Sequence, residues 1–304
     1  MIRLLATFLT VFLLCSSEFC LAQTQESSDS AENVSTQVRK KKKKKKKYRL
    51  PKVDLNHWKV TIPEGSGKGG AISVGPPGIL DYANNETLRP YIYNDSSAGA
   101  LVFYAFPSKA TTANTKYSRS ELREQMEPGN DNVNWTFADG GYLKAKMSVP
   151  QITKDSDGKP HRTIVVQIHG RLTNEQRDLI GQKDNNAPPI LKVYWKEGKI
   201  RVKTKVLKEK GISAEGILHE DAWGDDEGRT FKEEVGTGKF LIEVKVSKGK
   251  MVVSLNKNEF FVYDDVSMKR WGVFENYFKV GNYFQTRDKG ASAKVNLYEL
   301  EVSH

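Results

Sequence analysis

Beyond residue 50 the chain alternates apolar and polar side chains with a period of two, the signature of half-buried β-strands. "WKVTI" (58–62), "ALVFYAF" (100–106), "GYLKAKMSV" (141–149) and "RTIVVQIHG" (162–170) are short, rich in β-branched and aromatic residues, and bounded by Gly, Pro or Asn. "ILKVYWKEGKIRVKTKV" predicts a hairpin turning at Glu197-Gly198, and "KMVVSLNKNEFFVYD" a second turning at Asn256-Lys257-Asn258. In the last segment, "AKVNLYELEVS", Val295, Leu297, Leu300 and Val302 alternate with polar neighbours. No long segment has a 3.6-residue period, and only "TNEQRDLIG" (173–181) suggests a short helix. A dozen or so strands in one domain predict an all-β fold, a two-sheet antiparallel β-sandwich of the jelly-roll type.

The N-terminal segment breaks this pattern. A basic start, an apolar run from Leu4 to Leu14 and Ala22 before Gln23 describe a secretory signal peptide over 1–22, too short to span a membrane comfortably. Residues 23–49 are polar and include eight consecutive lysines, a composition expected to be a disordered linker; 50–304 is the expected folded domain. Arg39, Lys40 to Lys47 and Arg49 carry ten of the formal +11 charges, so the rest of the chain is close to neutral. That argues against a basic nucleic-acid-binding domain and leaves the tail as a spacer or as an electrostatic tether to a polyanion. Cys15 and Cys20 both lie in the leader, so the mature domain has no disulfide and relies on its core. The expected destination is outside the cytoplasm, extracellular or periplasmic, as a monomer without a membrane anchor.

Three strand-like segments place polar groups where an apolar face would be expected. In "SRSELRE", Arg119, Glu121 and Arg123 share one face. This reads as a surface of cross-paired charges or as a cationic platform whose guanidiniums Glu121 holds in place. In "VVQIHG", Gln167 and His169 project together from a strand otherwise made of Val and Ile, at a desolvation cost unless both are hydrogen-bonded. In "YFKVGNYFQ", Tyr277, Lys279, Gly281, Tyr283 and Gln285 share a face with no aliphatic side chain; Gly281 there would leave room for a ligand ring. The set contains no cysteine and no metal-ligand spacing, so neither metal nor cofactor is expected. It also lacks a nucleophile elbow and the paired carboxylates of a glycoside hydrolase. Carboxylate-binding donors, an imidazole and a phenol suit β-elimination from a uronic-acid polymer. Donors stabilise the charge that grows on the carboxylate as C5 loses its proton, a base takes that proton, and tyrosine protonates the departing O4. A cationic neighbourhood would be needed to lower the phenol's pKa for work near neutrality.

"RSELRE", "QIH" and "YFKVGNYFQ" resemble, in order, the three signature segments of polysaccharide lyase family 7, the alginate lyases; "DLNHWKVTIP" (54–63) and "TTANTKYSRSELRE" (111–124) are similar to it as well. The resemblance implies a concanavalin A-like jelly roll whose concave sheet forms the alginate groove. It implies His169 as base toward guluronate and Tyr283 as proton donor, with Gln167 and Arg123 neutralising the carboxylate. Arg119, Glu121, Lys279 and Gln285 would line or brace the groove. Ile168 between Gln and His implies a lean toward guluronate-containing stretches. Val280 and Phe284 depart from the family's usual residues, Phe284 mattering only if it faces the groove. Two alternatives stand beside this reading: a lyase on another polyuronate such as glucuronan, and a non-catalytic sandwich that binds acidic polysaccharide.

Overall fold

The computed structural model describes residues 48–304 apart from 68, 69, 113 and 114. The expected leader over 1–22 and nearly all of the linker, including the lysine run, therefore lie outside the described residues.

Two antiparallel sheets account for the domain. The larger follows the order β11 (Trp223–Asp225), β10 (Lys199–Leu207), β9 (Asn186–Lys196), β8 (Arg162–Arg171), β16 (Glu275–Phe284), β5 (Arg119–Glu124), β1 (Trp58–Gly65) and β2 (Ala71–Val74). Two short strands, β6 (Trp135–Thr136) and β12 (Arg229–Glu234), join it beside β16 and β10. The second sheet runs β15 (Glu259–Tyr263), β14 (Lys250–Leu255), β13 (Phe240–Ser247), β7 (Gly141–Ile152), β17 (Ala293–Ser303), β4 (Ala100–Ala105) and β3 (Ile92–Asp95). This is the predicted sandwich.

Alternation decides which side of each strand meets the core. Val60, Ile62, Leu122, Val166, Ile168, Val193, Val202, Phe278 and Val280 of the large sheet are fully buried. They belong to one cluster with Phe103, Leu143, Met147, Ile242, Val253, Val295 and Leu297 of the other. Such burial is worth roughly 1.5–3 kcal/mol per large apolar side chain. The opposite face of β5, β16, β8 and β9 is therefore the one that carries polar groups.

Both predicted hairpins form. Glu197 and Gly198 have φ of 51° and 79°, the left-handed pair that a tight two-residue turn requires, and Asn256 and Lys257 have φ of 50° and 60°. The short helix forms as α1 (Asn174–Leu179), closed by a reciprocal capping box between Thr173 and Gln176. A second, α2 (Val266–Arg270), starts at the Asp265 cap and was not evident from periodicity because it is barely one turn long. Phe284 is buried against Ala105, Ala291 and Ala293, so it faces the core rather than the groove.

Candidate active site

The three unusual segments are neighbours. β16 lies between β5 and β8, and its register sets Lys279 opposite both Arg123 and Gln167, Tyr283 opposite Arg119, and Tyr277 opposite His169. Because adjacent strands lie about 4.8 Å apart, side chains far apart in sequence become direct neighbours on one face. They line a groove of about 630 Å³ containing Arg119, Arg123, Gln167, His169, Lys279, Tyr283 and Gln285.

Glu121 lies beneath them, with no exposed surface. Its Oε2 accepts from Arg119 Nη1 at 2.9 Å and pairs with Lys279 Nζ at 2.7 Å; its Oε1 accepts from Gln167 Nε2 at 2.6 Å. Burial alone would raise the Glu121 pKa, but Lys279 and Arg119 outweigh it and hold the carboxyl below its ordinary value. One carboxylate thus fixes three groove side chains from three strands. The expected brace is present, but it holds Arg119 and Lys279 instead of the two arginines.

The two arginines differ in what remains free. Arg123 donates to the carbonyls of Glu124 (2.6 Å) and Asp131 (2.9 Å) and to Asn134 Oδ1 (2.9 Å), and it pairs with the Asp131 carboxylate at 3.3 Å. Both of its terminal nitrogens are engaged by the protein, although the side chain still lines the groove. Arg119 keeps Nε and Nη2 buried and without an acceptor among the described residues, while its guanidinium stacks 3.8 Å from the centre of the Tyr283 ring. Unpaired buried donors are costly unless a ligand supplies the acceptor.

His169 Nδ1 lies 3.0 Å from the Gly170 carbonyl, which can only accept, so Nδ1 carries the hydrogen and Nε2 presents a lone pair. The ring stacks on Tyr277 at 5.3 Å, and Arg123 covers that ring at 4.1 Å. Burial first, then the charge of Lys279, pushes the His169 pKa down to about 3, so the imidazole is neutral at ordinary pH.

Tyr283 behaves differently from the expectation of an acidified phenol. Burial raises its pKa and outweighs the lowering effect of Arg119, so it keeps its proton at neutral pH. Lys279 is pushed down to about 8, by burial and then by Arg119, against the pull of Glu121. Gln285 donates to the Tyr283 carbonyl at 3.2 Å at the end of the strand.

Gly281 has a role other than admitting a ligand ring. Its φ of 145° lies outside the range of other residues, and a Cβ there would come 2.7 Å from the Ser120 carbonyl and 2.9 Å from Glu121 Cα. The glycine lets β16 approach β5 at the point where Glu121 is seated.

Several groove residues were not evident from the three segments. Asp131 binds Gln125 Nε2 at 2.8 Å, pairs with Lys59 and anchors Arg123 from a loop with no strand pattern. Arg171 joins Glu275 at 2.5 Å and Asn132 at 2.9 Å at the groove's end. Lys192 and Tyr194 were accessible in principle, because they alternate with Leu191, Val193 and Trp195.

Residues 53–304 match the family profile described as alginate lyase. The chain belongs to the alginate lyase family. It is 25% identical over 300 residues to an alginate lyase of Klebsiella pneumoniae, covering 83% of this chain and 90% of that protein. Among solved structures it is similar to the family 7 alginate lyase A1-II', at 28% identity and a TM-score of 0.65, covering 83% of this chain and 94% of that one. That relative was captured with a substrate, GGMG, in a form with a histidine replaced by asparagine and a tyrosine by phenylalanine. An alginate lyase from Pseudomonas aeruginosa shares the fold at 23% identity and a TM-score of 0.60, covering 83% of this chain and 100% of that one. In this alginate lyase family member the sandwich is the scaffold, and β5, β8 and β16 carry the groove's chemical groups.

Proposed function

We propose that the protein is a secreted lyase that cleaves alginate by β-elimination, leaving unsaturated oligouronates. The observation that carries this reading is the division of labour within one groove: His169 Nε2 is unprotonated, Tyr283 is protonated, and Arg119 has two donors without partners. A uronate carboxylate seated on Arg119, with Gln167 beside it, would have its developing charge stabilised as C5 is deprotonated. His169 Nε2 takes that proton. The electron pair left on C5 forms the C4–C5 double bond and expels O4, which Tyr283 protonates. Glu121 holds Arg119, Gln167 and Lys279 in place, and Lys279 contributes field rather than proton transfer. For mannuronate, whose C5 hydrogen lies on the other face, Tyr283 acts as base as well as acid. That places a greater demand on a raised phenol, so the proposal leans toward guluronate-containing stretches. Ile168 supports that lean only indirectly, since its side chain is fully buried in the core.

The test compares wild type with His169→Ala and Tyr283→Phe on guluronate and mannuronate blocks and on glucuronan, following ultraviolet absorbance of the unsaturated product. Loss of a positioned acid or base is expected to cost about 10²–10⁴-fold in rate. Full activity in both variants would overturn the mechanism, and binding without any absorbance gain in wild type would make the protein a lectin-like binder.

A further inference from the structure

Beyond the catalytic residues, the same face of the large sheet carries a second group of cations. Lys59, Arg123, Lys279, Gln167, Lys192 and Lys203 are successive cross-strand partners on β1, β5, β16, β8, β9 and β10. With strands about 4.8 Å apart, this row runs roughly 24 Å across the sheet. Most of its cations are compensated by the protein: Lys59 and Arg123 by Asp131, Lys279 by Glu121, and Lys192 by Asp225 at 2.7 Å. Lys203, at the far end, has no hydrogen-bond or ion-pair partner among the described residues.

Lys203 opens onto a separate cleft of about 100 Å³ lined by Arg162, Tyr194, Lys196, Arg201, Lys203 and Asp225. Tyr194 lines both this cleft and the main groove, and Lys203 is the cross-strand partner of the groove residue Lys192, so the two are adjacent. Asp225 is the cleft's one carboxylate, and it is already shared by Lys192 and by Lys205 at 3.0 Å. Arg201 donates only to neutral oxygens, Thr230 Oγ1 and the Glu227 carbonyl. Arg162 has no carboxylate partner among the described residues and lies 5.6 Å from the Tyr194 ring centre. The cleft therefore has more positive charge than the protein neutralises, in line with the catalytic row.

We propose that this cleft is a remote subsite of the groove in which Lys203 and Arg162 hold a uronate carboxylate of a chain being cut at His169 and Tyr283. The proposal rests on the polyuronate reading above and adds a consequence: the enzyme favours long chains. Polymers reach Lys203 while their scissile bond is in place, and the shortest cleavable oligomers do not. Because both side chains are partly open to water, each contact is modest and salt-sensitive.

The experiment compares wild type with the double variant Lys203→Gln, Arg162→Gln, which keeps most of each side chain's packing. On polymeric alginate KM is expected to rise about fivefold with kcat unchanged. On the shortest cleaved oligomer KM stays at the wild-type value, and about 0.5 M salt closes the gap on polymer as screening removes the contact. An unchanged KM on polymer, or an equal rise on both substrates, overturns the subsite. If wild type cut no polyuronate, the catalytic reading would fall on its own. Retention of both proteins in native gels containing alginate would then still decide the subsite: weaker retention of the variant supports it, and equal retention overturns it.

Discussion

Glu121 and Lys279 form an ion pair at 2.7 Å beneath the groove, with Glu121 fully buried and Lys279 nearly so. Removing one member of such a pair leaves the other charge without compensation, which costs about 3–5 kcal/mol. Glu121→Gln should lower the unfolding free energy by about that amount in urea titrations. It should also reduce kcat, because Arg119 and Gln167 lose the acceptor that orients them. Glu121→Gln combined with Lys279→Met should recover part of the stability and none of the activity.

The two arginines of "RSELRE" should separate cleanly. Arg119 has donors left for a ligand, and Arg119→Lys should lower kcat/KM on alginate by about 10²-fold or more, with the unfolding midpoint little changed. Arg123 gives both terminal nitrogens to Glu124, Asp131 and Asn134, so Arg123→Gln should chiefly lower stability. The reverse ranking in steady-state kinetics would restore the role that the sequence suggested for Arg123.

Lys279 should set the alkaline side of the pH profile. Its pKa of about 8 means that the groove loses this charge above pH 8, beside Arg119, Glu121, Arg123, His169 and Tyr283, so kcat/KM should decline there. Lys279→Arg should carry the plateau to higher pH. The stability effect has the opposite sign. Between pH 8 and about 10.4 the unfolded lysine binds more protons than the folded one, so this group's contribution to folding improves as pH rises through that window. Denaturant unfolding of wild type and Lys279→Met across pH 7–11 measures the difference.

Gly281→Ala should destabilise the fold by about 1–3 kcal/mol, the cost of forcing a side chain into a disfavoured backbone region. The contact with the Ser120 carbonyl pushes β16 from β5, so activity per folded molecule should fall as well. Thermal unfolding together with active-site-normalised kcat would check both.

Much of this was legible in the strand patterns. Gln167 and His169 could be recognised because the core-facing positions around them are Val and Ile, and period two leaves no other face for them. Tyr283 and Lys279 could be paired for the same reason. Phe284 was undecided until its burial among alanines settled its direction.

The alternation along each strand determined the sandwich and which side chains share the groove face, because burying one face is a local property of a pleated strand. Only the tertiary structure decided what those side chains are free to do. Glu121 holds Arg119, Lys279 and Gln167 because the strand register brings β5, β16 and β8 together. Asp131, on a loop without strand pattern, engages Arg123, while Arg119 keeps two nitrogens without an acceptor among the described residues. Burial keeps Tyr283 protonated although a guanidinium lies on its ring. Hydrogen-bond partners and desolvation depend on what is near in space, and a strand's own sequence does not contain its neighbours.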